Sequence, residues 1–328
     1  MAIIGQDIKE AARWLQGKDV VGIPTETVYG LAGNALSEKA LLRIFEVKRR
    51  PFFDPLILHV ASVDAISEWV SDFPAESRVL AMRFMPGPLT LVLPKKDCIP
   101  DLVSSGLDTV AIRVPRHPLT LKLLGQLPFP LAAPSANPFG YISPTSAVHV
   151  DKQLGDKIPY ILDGGPCTVG LESTILDFSG DVPRVLRKGG LAVETLEALL
   201  GKLEVSQTGS SNPKAPGMLE SHYAPRIPLT LDKDYPSQKN IPVQRIGALC
   251  FSEFMKHIPR ENQLLLSASG DLEEAARNLF KALRQLEAGG YELILAELVP
   301  EEGLGKAIND RLARAAGKKQ DRNPADSA

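Results

Sequence analysis

Between Val20 and Leu200 short apolar runs alternate with segments of helical period, the pattern of an α/β domain. Val20–Pro24 reads as a strand that ends in a turn. After Ser37, the residues Ala40, Leu41, Ile44 and Phe45 share one helical face, with Ser37 as N-cap and Pro51 as the stop. Further strands are predicted at Leu56–Val60, Leu89–Leu93, Val110–Val114, Tyr160–Leu162, Ser173–Leu176 and Val185–Arg187. Several lie too close together for a helix between each pair, so a mixed sheet is expected and not a purely parallel one.

The pattern changes near residue 202. Ser206–Pro216 (SQTGSSNPKAP) has the composition of a linker, yet Gly217–Pro225 (GMLESHYAP) carries Met, His and Tyr, which a plain spacer does not need. A second α/β unit follows, with strands at Ile246–Phe251, Leu264–Leu266 and Leu293–Leu298. Its helix begins at Asp271 and carries Leu272, Ala275, Ala276, Leu279, Phe280, Leu283 and Leu286 on one stripe. The expected organisation is a catalytic domain over 1–201, a linker or lid over 202–227 and a smaller domain over 228–328.

Composition narrows the function classes. The net charge of -2 gives no global basic field, so an anionic ligand must meet a local cluster. Cys98, Cys167 and Cys250 are far apart, with neither disulfide nor zinc spacing. Neither a signal peptide nor a run of about 18 apolar residues is seen, so a cytoplasmic location is expected. The P-loop, G-x-G-x-x-G, G-x-S-x-G and H-E-x-x-H motifs are all missing, which leaves room for a reaction whose nucleophile comes from a substrate.

Five segments place polar or basic residues where strands meet turns: Pro24–Gly30 (PTETVYG), Lys48–Val60 (KRRPFFDPLILHV), Thr109–Arg116 (TVAIRVPR), Ala133–Asn137 (APSAN) and Leu171–Thr174 (LEST). One rim of an open sheet is the expected meeting place. Each segment also has a plainer reading. Lys48–Arg50 would suit any helix C-terminus, and Thr25 and Thr27 any polar strand face. Ser135 and Asn137 fit an ordinary turn, and His59 a satisfied core histidine. Arg113, between Ile112 and Val114, would on that plainer reading simply point to solvent.

Taken in order, GIPTETVYGL, KRRPFFDPLILHV, PGPLTLVLP, VAIRVPRHP, PLAAPSAN, ILDGGPCTVGLESTI and VLRKGG resemble the Sua5/YrdC/YciO family over about residues 10 to 200. APGMLESHYAP resembles the linker of its two-domain Sua5 type. The resemblance implies a YrdC-like open twisted mixed β-sheet domain and a smaller Rossmann-like α/β C-terminal domain. It implies a nucleotidyltransferase that forms threonylcarbamoyl-AMP and pyrophosphate from L-threonine, bicarbonate and ATP. The product would serve adenosine 37 of tRNA through a separate threonylcarbamoyl-transferring complex. By the same resemblance Thr27, His59, Arg113, Ala133 and Ser173 hold threonine. Arg50, Asp54, Thr109, Ser135, Ser143, Arg187 and Tyr223 hold ATP with Mg²⁺, no protein metal site being expected, and Lys48 and Arg50 are the catalytic cations. Many relatives carry Asn where this chain has Asp54, and a carboxylate beside phosphates needs a Mg²⁺ ion or a ribose hydroxyl between them. Two alternatives remain: a YrdC-like RNA-binding module without catalysis, and a carbamoyl-adenylating transferase of the hydrogenase-maturation kind.

Overall fold

A computed structural model describes residues 1–206, 215, 223–232 and 240–317. The chain divides into two compact units, Met1–Phe139 with Ser143–Leu219, and Gly140–Ile142 with Glu220–Ala328. Among the described residues no helix is long and apolar enough to cross a membrane.

The first unit is built on β1 (Ile3–Gly5), β2 (Val21–Ile23), β3 (Gly30–Asn34), β4 (Ile57–His59), β5 (Leu89–Pro94), β6 (Thr109–Arg113), β7 (Leu131–Ala132), β8 (Tyr160–Leu162), β9 (Thr174–Asp177), β10 (Arg184–Arg187) and β11 (Glu204–Val205). They form one sheet in the order β1-β8-β2-β3-β7-β4-β6-β5-β9-β10-β11. Parallel pairs such as β4 with β6 sit beside antiparallel ones such as β5 with β6, so the sheet is mixed, as the spacing predicts. The helices are α1 (Ile8–Gln16), α2 (Glu38–Lys48), α3 (Ala75–Phe84), α4 (Asp101–Ser104), α5 (Pro118–Leu124), α6 (Ala147–Leu154) and α7 (Val193–Leu200). Ser37 caps α2 by accepting from the Ala40 amide. The helix ends at Lys48 because Arg49 turns left-handed (φ 52°), before Pro51 is reached.

The strands sort their side chains by the two-residue alternation of a pleated sheet. Leu56, Leu58 and Val60, with Val110, Ile112 and Val114 and with Leu89, Leu91 and Leu93, join Leu41, Ile44 and Phe45 of α2 in the main core. The residues between them, Ile57, Val92 and Ala111, meet Ile175, Leu186 and Ala215 in a small cluster on the opposite face. That second face carries the polar residues described below.

The second unit has a parallel sheet of β12 (Leu229–Thr230), β13 (Ile246–Cys250), β14 (Gln263–Leu265) and β15 (Leu293–Ala296), in the order β12-β15-β13-β14. Its long helix α8 (Leu272–Ala288) is capped by Asp271, and α9 (Gly305–Ala316) follows. Every residue of the predicted apolar stripe except Leu272 is buried.

Candidate active site

Arg113 does not face solvent: it is 3% exposed, the last residue of β6, and anchored on the second face. One guanidinium nitrogen donates to Thr27 Oγ1 at 3.1 Å, while the other donates to Glu26 and to the Gly87 carbonyl. Glu26 also accepts from the Arg116 amide at 2.9 Å. Burial lowers the Arg113 pKa from its ordinary value, and the Glu26 charge opposes the shift. Arg113 Nε is buried and has no partner among the described residues, a donor directed at whatever occupies this face.

The turn after β2 supplies Thr27. Thr25 Oγ1 donates to the Val28 carbonyl at 2.6 Å and lies 2.7 Å from Thr27 Oγ1. Both threonines are buried, and neither belongs to a strand.

In the parallel β4–β6 pair His59 stands beside Arg113. His59 Nδ1 lies 3.1 Å from the Ile57 carbonyl, which fixes the proton on Nδ1 and leaves Nε2 an acceptor. Burial, then the neighbouring Arg113 charge, pushes its pKa down to about 3, so the ring is neutral. The unfolded chain protonates this group near 6.5 and the native state does not until about 3. Stability therefore falls as pH drops through that window. Urea unfolding at about pH 7 and pH 5 is expected to show a smaller loss in His59→Asn than in the parent, and equal losses would contradict a neutral His59.

On the other side of β6, Thr90 Oγ1 and Ser173 Oγ are 2.7 Å apart. Arg187 donates through Nε and Nη2 to the Ser173 carbonyl, at 3.1 and 2.9 Å, and through Nη2 to its hydroxyl. A register shift between Val185 and Arg187 brings this guanidinium to the LEST segment. Gly189 permits the approach, since a Cβ there would lie 2.3 Å from the Glu172 carbonyl and 2.5 Å from the Ser173 carbonyl carbon. Ser143 Oγ donates to Glu172 at 2.6 Å.

The KRRPFFDP segment forms a compact basic corner. Arg50 donates to the Asp54 and Pro55 carbonyls at 3.0 and 2.7 Å and pairs with the Asp54 carboxylate at 2.8 Å. Asp54 is fully buried, so in this structure it is the counter-ion of Arg50. Lys48 Nζ donates to the carbonyls of Ser135 and Asn137, both at 2.5 Å, and braces the APSAN loop. Burial, followed by the Arg50 charge, pulls the Lys48 pKa well below its usual value, while Asp54 opposes the shift.

These groups gather on a face and not along a rim. Thr109, Ala111 and Arg113 are alternate residues of β6 and span about 13 Å of it. His59 flanks that row. The apolar floor of Ile57, Val92, Ala111, Ile175 and Leu186 lies in its middle, with Ala215 packed on the floor. Ala133 and Ser135 follow β7, where the Ala133 amide donates to the Ile57 carbonyl. Tyr223 sits in the second unit, buried and stacked on Phe280 at 5.6 Å, with the guanidinium carbons of Arg311 and Arg314 at 4.9 and 5.0 Å from its ring. Met218 and His222 lie outside the described residues. Glu26, Glu172 and Thr90 were not singled out from the sequence. The Glu26–Arg113 contact joins positions 87 apart and has no local signature.

Residues 13–189 match the profile of the family described as telomere recombination, that of Sua5, YciO and YrdC. Residues 191–317 match the threonylcarbamoyl-AMP synthase C-terminal domain. The chain belongs to the Sua5/YciO/YrdC family. Within the family it is 43% identical to the threonylcarbamoyl-AMP synthase of Pyrococcus abyssi, over 94% of each chain. It is 40% identical to that of Bacillus subtilis, over 94% of this chain and 93% of the relative. The crystal structure of P. abyssi Sua5 complexed with L-threonine superposes with a TM-score of 0.87 at 40% identity, covering 97% of this chain and 98% of that one. The mixed sheet followed by a small parallel α/β unit is thus the Sua5 architecture.

Proposed function

We propose that this chain is a cytoplasmic L-threonylcarbamoyladenylate synthase, a nucleotidyltransferase. Family membership supports the reading, and the observation that carries it is the buried Arg113, whose Nε has no partner among the described residues, beside His59 and Thr27. A small ligand with a carboxylate and a hydroxyl suits that set. The carboxylate accepts from Arg113, and the hydroxyl donates to neutral His59 Nε2. Ser173 and the Ala133 backbone complete the threonine side. Arg50, Asp54, Thr109, Ser135, Ser143 and Arg187 form the ATP side.

The chemistry needs position and charge, not a protein nucleophile. The threonine amine adds to the bicarbonate carbon with loss of water, giving a carbamate. A carbamate oxygen then attacks the α-phosphorus, the bond to the β-phosphate oxygen breaks, and pyrophosphate leaves. The buried guanidinium groups of Arg50 and Arg187 would hold the developing charge. Mg²⁺ would enter as a cation carried by ATP. Ala215 packs on the apolar floor; residues 207–214 and 216–222 of the lid expected over 202–227 lie outside the described residues. The product passes to a tRNA threonylcarbamoyl-transferring complex.

The test is pyrophosphate release with threonine, bicarbonate and ATP, each omitted in turn. Release is expected to require all three. Valine in place of threonine should lower kcat/KM on the order of 100-fold or more, because it leaves the His59 acceptor unpaired. Equal rates with the two amino acids would refute the pocket.

A further inference from the structure

Within the first unit a row of side chains crosses the second face of the sheet. In the parallel β4–β6 pair His59 stands beside Arg113. In the antiparallel β5–β6 pair Leu91 faces Ile112 and Val92 faces Ala111, so one further step of that register sets Thr90 opposite Arg113. Thr90 Oγ1 in turn lies 2.7 Å from Ser173 Oγ, in the residue before β9. The next residue ties that segment to β5, since the Thr174 amide donates to the Pro88 carbonyl at 2.9 Å.

Thr90 is a polar exception in its strand. Leu89, Leu91 and Leu93 enter the main core, and Val92, its neighbour on the second face, joins the apolar floor. Valine would fill the position with the same shape, and a hydroxyl is costly to bury without partners. Thr90 is nonetheless fully buried, and Ser173 is 1% exposed. The two hydroxyls bring two protons, and the contact between them uses one. Ser173 Oγ also accepts from Arg187 Nη2 at 3.1 Å, which engages a lone pair and no hydroxyl proton. One proton of the pair therefore has no acceptor among the described residues. Arg113 Nε, on the adjoining strand, is likewise a donor without a partner among them.

We propose that Thr90 is a positioning residue for the amino acid: its hydroxyl donates to Ser173 Oγ and so turns the Ser173 proton toward an anionic oxygen of the bound substrate. This rests on the reading of Arg113 and Ser173 as the threonine side. With Thr90 and Arg187 both donating to it, Ser173 Oγ has its two lone pairs engaged, and its own proton is left to be given outward. The two donors also polarise the hydroxyl and strengthen the bond it gives. Without Thr90 the Ser173 hydroxyl must be oriented afresh each time threonine binds, which weakens affinity without altering any group on the ATP side.

The test uses the full-length chain, with calorimetric titration of threonine and, separately, of ATP, alongside KM and kcat from pyrophosphate release. Thr90→Val keeps the shape and removes the hydroxyl. It should weaken threonine binding about tenfold, with the KM for threonine rising in step and ATP affinity within about twofold of the parent. Thr90→Ser restores the donor and should stay within about threefold of the parent for threonine. Ser173→Ala should lose at least as much as Thr90→Val. The double variant Thr90→Val/Ser173→Ala should bind threonine no more than about twofold worse than Ser173→Ala, because Thr90 acts through Ser173. Threonine affinity unchanged in Thr90→Val would overturn the proposal, as would a double variant in which the two losses multiply. Equal losses for ATP and threonine in Thr90→Val, the mark of a general structural defect, would overturn it too. A parent chain that binds threonine but releases no threonine-dependent pyrophosphate would sink the synthase reading alone, and the threonine titrations would still decide this one.

Discussion

Arg113→Ala is expected to abolish threonine-dependent turnover and to destabilise the first unit by about 3–5 kcal/mol, the cost of removing one partner of a buried ion pair. Glu26 is 2% exposed and among the described residues would keep the Arg116 amide as its side-chain partner, without the paired guanidinium. The double variant Glu26→Gln/Arg113→Ala removes that stranded charge. It should recover much of the stability and none of the activity, because the Nε donor stays absent. Urea unfolding and pyrophosphate release on the parent, both single variants and the double variant separate the two roles. A single Arg113→Ala variant that turns over threonine within about threefold of the parent would contradict the assignment of this guanidinium to the amino acid.

The second large effect concerns Arg50. Arg50→Ala removes the guanidinium that pairs at 2.8 Å with the completely buried Asp54. On the proposed ATP-side reading it would also withdraw a charge-assisted contact to phosphate of about 1.5–3 kcal/mol, roughly 10- to 150-fold in ATP affinity. Asp54→Asn is the informative companion. If Asp54 only holds Arg50, an amide of the same shape should keep turnover within about fivefold, while Arg50→Ala falls far below it. Wild-type turnover in Arg50→Ala would remove Arg50 from the ATP side. A collapse in Asp54→Asn as deep as in Arg50→Ala would show that the carboxylate itself is needed at the nucleotide.

Much of the framework was legible because it is periodic. Tyr160–Leu162 is a strand with the predicted bounds, and the stripe from Ala275 to Leu286 is buried as its spacing demands. What stayed hidden lacked such a pattern. Gly30–Asn34 (GLAGN) is a central strand of weak β propensity, held by β2 on one side and β7 on the other. Leu131–Ala132 is only two residues long yet bridges β3 and β4. Neither is visible without its partners.

The site shows the same division. The blocks that carry it are recognisable in order, but the plain alternation rule sent Arg113 to solvent. It failed because the second face of this sheet is not a solvent face: His59, Thr90 and Ala215 cover it, and Glu26 arrives from 87 positions away. A rim was expected because ligands of open α/β sheets gather at strand ends. Here β5 runs antiparallel to β6 and β7 to β4, so residues from opposite strand ends reach one face. Lys48 is recognisable in the sequence as part of the KRR triplet, but that its ammonium ties α2 to the Ser135 and Asn137 carbonyls is visible only in the structure.

The most direct measurement is the identity of the product made from ¹³C-labelled bicarbonate, L-threonine and ATP by the full-length chain. Mass spectrometry of the quenched reaction is expected to show an AMP adduct that contains threonine and one labelled carbon, formed one-to-one with pyrophosphate and lost when threonine is omitted. AMP or ADP accumulating without that adduct, or the same pyrophosphate yield when threonine is left out, would contradict the account.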